Sequence, residues 1–248
     1  MFSSLFCKKD KKETEKPQGG IPPVLLQLRE TLYTRASLDP YLARVQEDAK
    51  SAFPWSNFVA ANQAIKDGNN AQAISQLRQI VDTQGVETRI RLQAWHILSS
   101  LGEQPVESLR GYTQGVVIEN HMDNGLDIVA AYSDNSARYW NYSGSGVIWD
   151  ARAPEIDKLV FEVLKVGFEI SKRIGIGLRD APSVPEKGFL RIFIMAYDGS
   201  TVGEGRFDQL SKDPMGNAAI TAGLNLMNGL IKKQKESKNT GPGVVRFG

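Results

Sequence analysis

The chain holds one cysteine, Cys7, in 248 residues, which excludes an intramolecular disulfide and suits a reducing, cytoplasmic setting. Histidine is almost as scarce. His96 and His121 are the only two, whereas a zinc site takes three or four ligands, so no metal centre is expected. No uninterrupted apolar run approaches the roughly 20 residues of a membrane-spanning helix, and none is expected. Residues 1–6 before Lys8 are too few for the hydrophobic part of a secretion signal. Ser4-Leu5-Phe6-Cys7 fits a lipoprotein cleavage site poorly, because Phe6 stands where such sites take a small residue.

A large excess of charge is also missing. The formal net charge is +2, and it belongs to the ends. Residues 1–20 hold five Lys against three acids, and residues 232–248 hold four Lys and Arg246 against Glu236. The body between is mildly acidic, so no specific nucleic-acid footprint is expected; a second alternative function is weak binding of nucleic acid or of an anionic surface, such as a membrane, through the basic tails.

Nucleotide-binding motifs are absent in the same way. Gly144-Ser145-Gly146 precedes a strand-like run instead of following one, and Gly175-Ile176-Gly177 ends a helical pattern. The glycines from Gly199 to Gly205 lack the Lys-Ser/Thr ending of a phosphate loop, and no serine sits in a Gly-x-Ser-x-Gly elbow. No cofactor and no catalytic residue is assigned. The enzyme alternative is a small hydrolase or transferase using His121 with Asp123 or Glu119.

With 41% hydrophobic and 23% charged residues, the chain has the balance of a globular protein. Residues 115–150 carry the clearest pattern: four β-like runs, 115–121, 126–132, 136–142 and 145–150, joined by Asp123-Asn124-Gly125, Ser133-Asp134-Asn135 and Ser143-Gly144. Asn and Gly tolerate the positive φ of tight hairpins, so an antiparallel meander is predicted. Two-residue turns would place Val129 opposite Trp140, Trp140 opposite Val147 and Arg138 opposite Trp149. Arg138, Trp140, Val147 and Trp149 then share one face, with Arg138 stacked on Trp149, and form the candidate interaction face.

Upstream, Pro22-Pro23 and Asp39-Pro40 each signal a helix start, with Asp39 as N-cap and Pro40 at the first helical position of the second. Three apolar stripes follow, carried by Phe58, Ala61 and Ile65, by Ala73, Ile74, Leu77 and Ile80, and by Ile90, Ala94, Ile97 and Leu98. Breaks at Asp67-Gly68-Asn69 and Gln84-Gly85 make them antiparallel neighbours. The segment Ala64-Ile65-Lys66-Asp67-Gly68-Asn69-Asn70-Ala71-Gln72-Ala73-Ile74 resembles the turn and second-helix start of a tetratricopeptide-type repeat, and Ala94-Trp95 with Leu101-Gly102-Glu103 returns part of it. The likeness covers residues 55–103 and implies a surface for proteins or peptides.

Downstream, Pro154 opens a helix with Ile156, Leu159, Val160, Val163, Leu164, Gly167, Ile170 and Ile174 on one face, and Phe161 and Phe168 predict burial on a further side. Residues 189–197 are almost continuously apolar, as in a strand covered on both faces. Asp198-Gly199 turns into a partner strand, and Asp213-Pro214 caps a last helix. The expectation is an α+β protein: a disordered basic arm over 1–20, a helical repeat-like region over 21–108, an antiparallel-sheet domain with two long helices over 109–235, and a flexible tail over 236–248. Its predicted role is that of a non-enzymatic interaction or assembly module, an adaptor or regulatory subunit, with a protein partner or a second copy of the chain.

Overall fold

The computed structural model describes residues 20–177 and 183–240, and of 237–240 the backbone alone. The expected arm over 1–20 lies outside the described residues apart from Gly20, as does the tail from residue 241.

Five helices come first: α1 (Pro23–Tyr33), α2 (Leu38–Leu42), α3 (Trp55–Lys66), α4 (Asn70–Asp82) and α5 (Thr88–Ser100). Their limits follow local chemistry. Pro23 supplies the fixed φ of a first helical turn, and the Asn69 side chain caps α4 by accepting from Gln72 N at 3.1 Å. Asp39 does not cap α2 as expected. Ser37 holds that position, and the Asp39 carboxylate instead ties α2 to α3 through Asn62 and Lys66, each at 2.7 Å.

The meander is formed by β1 (Gly115–Met122), β2 (Gly125–Tyr132), β3 (Ala137–Trp140) and β4 (Gly146–Trp149). A long helix, α6 (Pro154–Ile174), carries the chain back to β5 (Phe189–Ala196), which pairs with β1 and then with β6 (Gly199–Arg206). The sheet is antiparallel throughout, in the order β4-β3-β2-β1-β5-β6, so β5 is the covered inner strand its apolar run predicts. A single turn, α7 (Phe207–Leu210), leads to α8 (Pro214–Thr240). Asp213 Oδ1 caps α8 by accepting from Met215 N at 2.9 Å and Gly216 N at 2.7 Å. α8 continues through residues 236–240, beyond the expected start of a tail.

The protein is therefore α+β, with the sheet held between two helical layers. On the front face, Val117, Leu126, Ile128, Ala130, Tyr132, Trp140, Phe193 and Met195 share one core with α1 and α3–α5, so the two expected parts are joined by packing. On the back face, Val116, Ile118, Val129, Ala131, Tyr139, Ile192 and Ile194 meet α6 and α8. Two close approaches set this layer. A Cβ at Gly167 of α6 would lie 2.5 Å from Val116 Cγ2, and one at Gly223 of α8 would lie 2.9 Å from Ile118 Cδ1.

Candidate interaction surface

The expected face is divided between the two sides of the sheet. The turns after β2 and β3 each hold three residues, not two. Tyr132 N–H bonds to the Ser136 carbonyl at 3.0 Å around residues 133–135, and Asn141 N–H bonds to the Ser145 carbonyl at 2.9 Å around residues 142–144. Each loop ends in a left-handed residue, Asn135 at φ 67° and Gly144 at φ 81°. This is the type I turn plus bulge of three-residue hairpins. One added residue moves every pairing by one, so Trp140 lies opposite Ile128, Arg138 opposite Ala130, Val147 opposite Tyr139 and Trp149 opposite Ala137. Two such shifts cancel at β4. Val147 and Trp149 stay on the back face, while Arg138 and Trp140 move to the front.

Both sides are covered. Trp140 is 5% exposed in the front core, and Trp149 is half-buried against the back one. Arg138 does not stack on the Trp149 ring as expected. Its guanidinium reaches the Trp149 carbonyl at 3.0 Å and Asp150 at 2.6 Å.

His121 and its neighbours do not converge on a reaction centre. Its Nδ1 donates to the Pro185 carbonyl at 2.8 Å, which fixes the tautomer because a carbonyl can only accept. Its own carbonyl accepts from Gly188 N at 2.6 Å, so His121 fastens residues 185–188 across the strand end. Asp123 is fully exposed and faces Lys187 at 3.2 Å. Glu119 has no exposure at all: Arg29 of α1 grips it with two hydrogen bonds, and Arg191 of β5 lies 3.4 Å from Oε2. Burial and then the Glu119 charge hold the adjacent Tyr33 hydroxyl well above its ordinary pKa.

A polar cleft of about 530 Å³ separates the α4–α5 loop from the β2–β3 turn. Its acidic side chains serve the fold. Asp134 accepts from Thr88 N at 2.8 Å, at the start of α5, and from Ser136 N at 3.0 Å. Burial alone would raise its carboxyl pKa, but these bonds outweigh burial and hold it below the ordinary value. Asp150 is taken by Arg138.

Among the described residues, one surface left open is the outer face of α6, which sets two aromatic rings in a single row. The helix buries Ile156, Val160, Val163, Gly167 and Ile170. Its opposite face carries Lys158, Phe161, Lys165, Phe168 and Lys172, successive residues three or four apart and thus in one row. The expected burial of Phe161 fails: the ring is 60% exposed, because α8 and the sheet approach only the other side of the helix. Phe168 is half-buried. Thr113 and Val116 crowd Gly167, and this close passage sets the Tyr112 ring on Phe168, with centroids 6.2 Å apart and planes at 11°. Tyr112 remains 56% exposed, and Lys172 Nζ lies 5.4 Å from the Phe168 centroid.

Beside the lysine row runs a second one holding Glu162 and Glu169. Among the described residues no ion pair within 4.0 Å engages Lys158, Lys165, Lys172, Glu162 or Glu169, whereas Asp157 pairs with Arg152 and Glu155 with Lys233. The Phe161 and Phe168 signal was present in the sequence, but helical spacing alone does not distinguish a second buried side from an uncovered one. No protein-family model matches the chain, and comparison with curated proteins and with solved structures found no match.

Proposed function

We propose that the protein is an interaction or assembly module, an adaptor or regulatory subunit, that engages a protein partner through the outer face of α6. The observation that carries this reading is Phe161, 60% exposed in a row with Phe168, beside a Tyr112 ring that is itself 56% exposed. Aromatic rings open to water at the centre of a charged row are a cost to the isolated chain. Burying a Phe side chain completely is worth about 1.5–3 kcal/mol, so covering the exposed part of Phe161 returns roughly half of that or more. Exposed aromatic rings such as Phe161 and Tyr112 are also the residue types enriched at protein interfaces. The likeness of residues 55–103 to a tetratricopeptide-type hairpin agrees with such a role but does not supply the surface. Among the described residues no helix is long and apolar enough to cross a membrane. A cytoplasmic setting belongs to the proposal through the single cysteine alone.

A photo-crosslinking amino acid placed at Phe161 in the full-length protein, expressed in its native cell, tests this. A discrete adduct with one protein is expected, suppressed by excess wild-type chain but not by a Phe161→Glu chain. The same probe at Phe53, 46% exposed and far along the chain, is the control. Equal labelling at both positions, or none at 161, would refute the reading.

A further inference from the structure

The charges of α6 specify more than an apolar contact. We infer that the occupant of this face is an acidic amphipathic helix of a different protein, with Asp or Glu interleaved among apolar residues three and four apart. The inference rests on the reading of α6 as a protein interface.

Four occupants could cover exposed Phe among Lys, and the arrangement discriminates between them. In a helix that lies in a membrane surface, lysines flank the apolar stripe and snorkel outward. Here Lys158, Lys165 and Lys172 stand in the same row as Phe161 and Phe168, so sinking the rings into acyl chains would drag three ammonium groups with them. The helix also has no net charge: Lys158, Lys165, Lys172 and Arg173 balance Glu155, Asp157, Glu162 and Glu169. A uniformly anionic surface, lipid or nucleic acid, meets the Glu162/Glu169 row as well as the lysines and gains little. Base stacking is further restricted because Tyr112 and Phe168 already stack on each other.

A second copy docking α6 on α6 about a two-fold axis at Lys165 would set Lys165 on itself and Lys158 against Lys172 of the other copy, which repels. A narrow stripe of negative charge meets the lysine row without facing Glu162 and Glu169, which a uniform surface cannot do. A helix presenting carboxylates and apolar side chains at matching 3–4 spacing supplies such a stripe, each carboxylate meeting a lysine between two anchored rings while the two glutamates stay toward water. From Lys158 to Lys172 the stripe spans 14 residues of rise, about 21 Å at 1.5 Å per residue, which is four turns of such a partner.

The test repeats the crosslink from position 161 in two further full-length chains, Lys158→Glu/Lys165→Glu/Lys172→Glu and Lys158→Gln/Lys165→Gln/Lys172→Gln, with mass-spectrometric mapping of the crosslinked segment. Melting temperatures of both chains should match the parent, since these positions are exposed. The expected result is a protein adduct whose mapped segment carries Asp or Glu at 3–4 spacing. Its yield should fall about tenfold or more with Glu, less with Gln, and in 0.5 M salt as charge pairing is screened. An adduct of unchanged yield in the Glu chain, or mapped to a segment without that acidic pattern, overturns the inference and leaves the interface standing. An adduct with lipid, nucleic acid or a second copy of the chain also overturns it. No adduct in any chain removes the interface itself.

Discussion

Arg29 and Glu119, ninety residues apart in the chain, meet through two hydrogen bonds, Nε to Oε1 and Nη2 to Oε2, with the carboxylate wholly buried. The pair joins α1 to the middle of β1. Arg191 closes on the same carboxylate and also bonds Glu204 at 2.7 Å, so two guanidinium groups and two carboxylates balance. Arg29 and Arg191 both donate to the Ser183 carbonyl, which pins the chain leading into β5 over this network.

Glu119→Ala removes the shared acceptor and leaves two arginines with less than their charge matched. The expected loss is about 3–5 kcal/mol, the cost of breaking a buried ion pair from one side. Glu119→Gln, which keeps shape and one acceptor, should lose less. Urea unfolding of the three proteins measures it; a change below about 1 kcal/mol for Glu119→Ala would mean that the network is not a restraint.

The left-handed turn residue sets a second expectation. Asn135→Gly should leave stability unchanged or improve it slightly, whereas Asn135→Val, β-branched at φ 67°, should lose about 1–3 kcal/mol. The comparison is a thermal melt of the two variants side by side. Equal melting points would contradict a three-residue loop.

Trp140 and Trp149 should behave differently because they stand on different faces. Trp140→Ala, in the front core, is expected to cost about 3–5 kcal/mol. Trp149→Phe should cost little, because the Trp149 Nε1 is buried without a hydrogen-bond partner among the described residues. Loss of oligomerisation by Trp140→Ala with the monomer still fully stable would instead restore a joint interaction face.

Asp127 sits on the back face beside a small cavity of about 30 Å³ lined by Ile118, Val129 and Met227. Burial raises its carboxyl pKa, against hydrogen bonds from Tyr142 N at 2.9 Å and the Tyr139 hydroxyl at 3.4 Å. With the folded pKa above the unfolded one, the native state binds more protons between the two. Stability from this group is thus present below the ordinary aspartate range and falls as pH rises through the folded value. Asp127→Asn should flatten that fall and melt no lower than the parent at pH 7. A steeper loss toward acid in the parent than in the variant would give the opposite sign.

Much of the architecture was legible because it is written locally. The breaks at Asp67-Gly68-Asn69 and Gln84-Gly85, the prolines at 23 and 154 and the Asp213 cap place α3, α4, α1, α6 and α8 by turn chemistry and periodicity. The candidate site was legible only in part. Phe161 and Phe168 stood out as a sideways extension of an apolar helix, but whether a neighbour covers them depends on where α8 and the chain before β1 run.

The sequence by itself determined the antiparallel meander and the starts of α1, α6 and α8, since each depends on residues within a turn or two of one another. Tertiary structure alone decided the rest. The face taken by Arg138 and Trp140 turned on one residue in a loop, because strand side chains alternate with period two and a single added residue inverts them. Glu119 entered the core because β5, arriving seventy residues later, brings Arg191 beside it while α1 brings Arg29. The open row on α6 exists because both layers that bury the helix meet its other side, a relation between distant segments that no local pattern records.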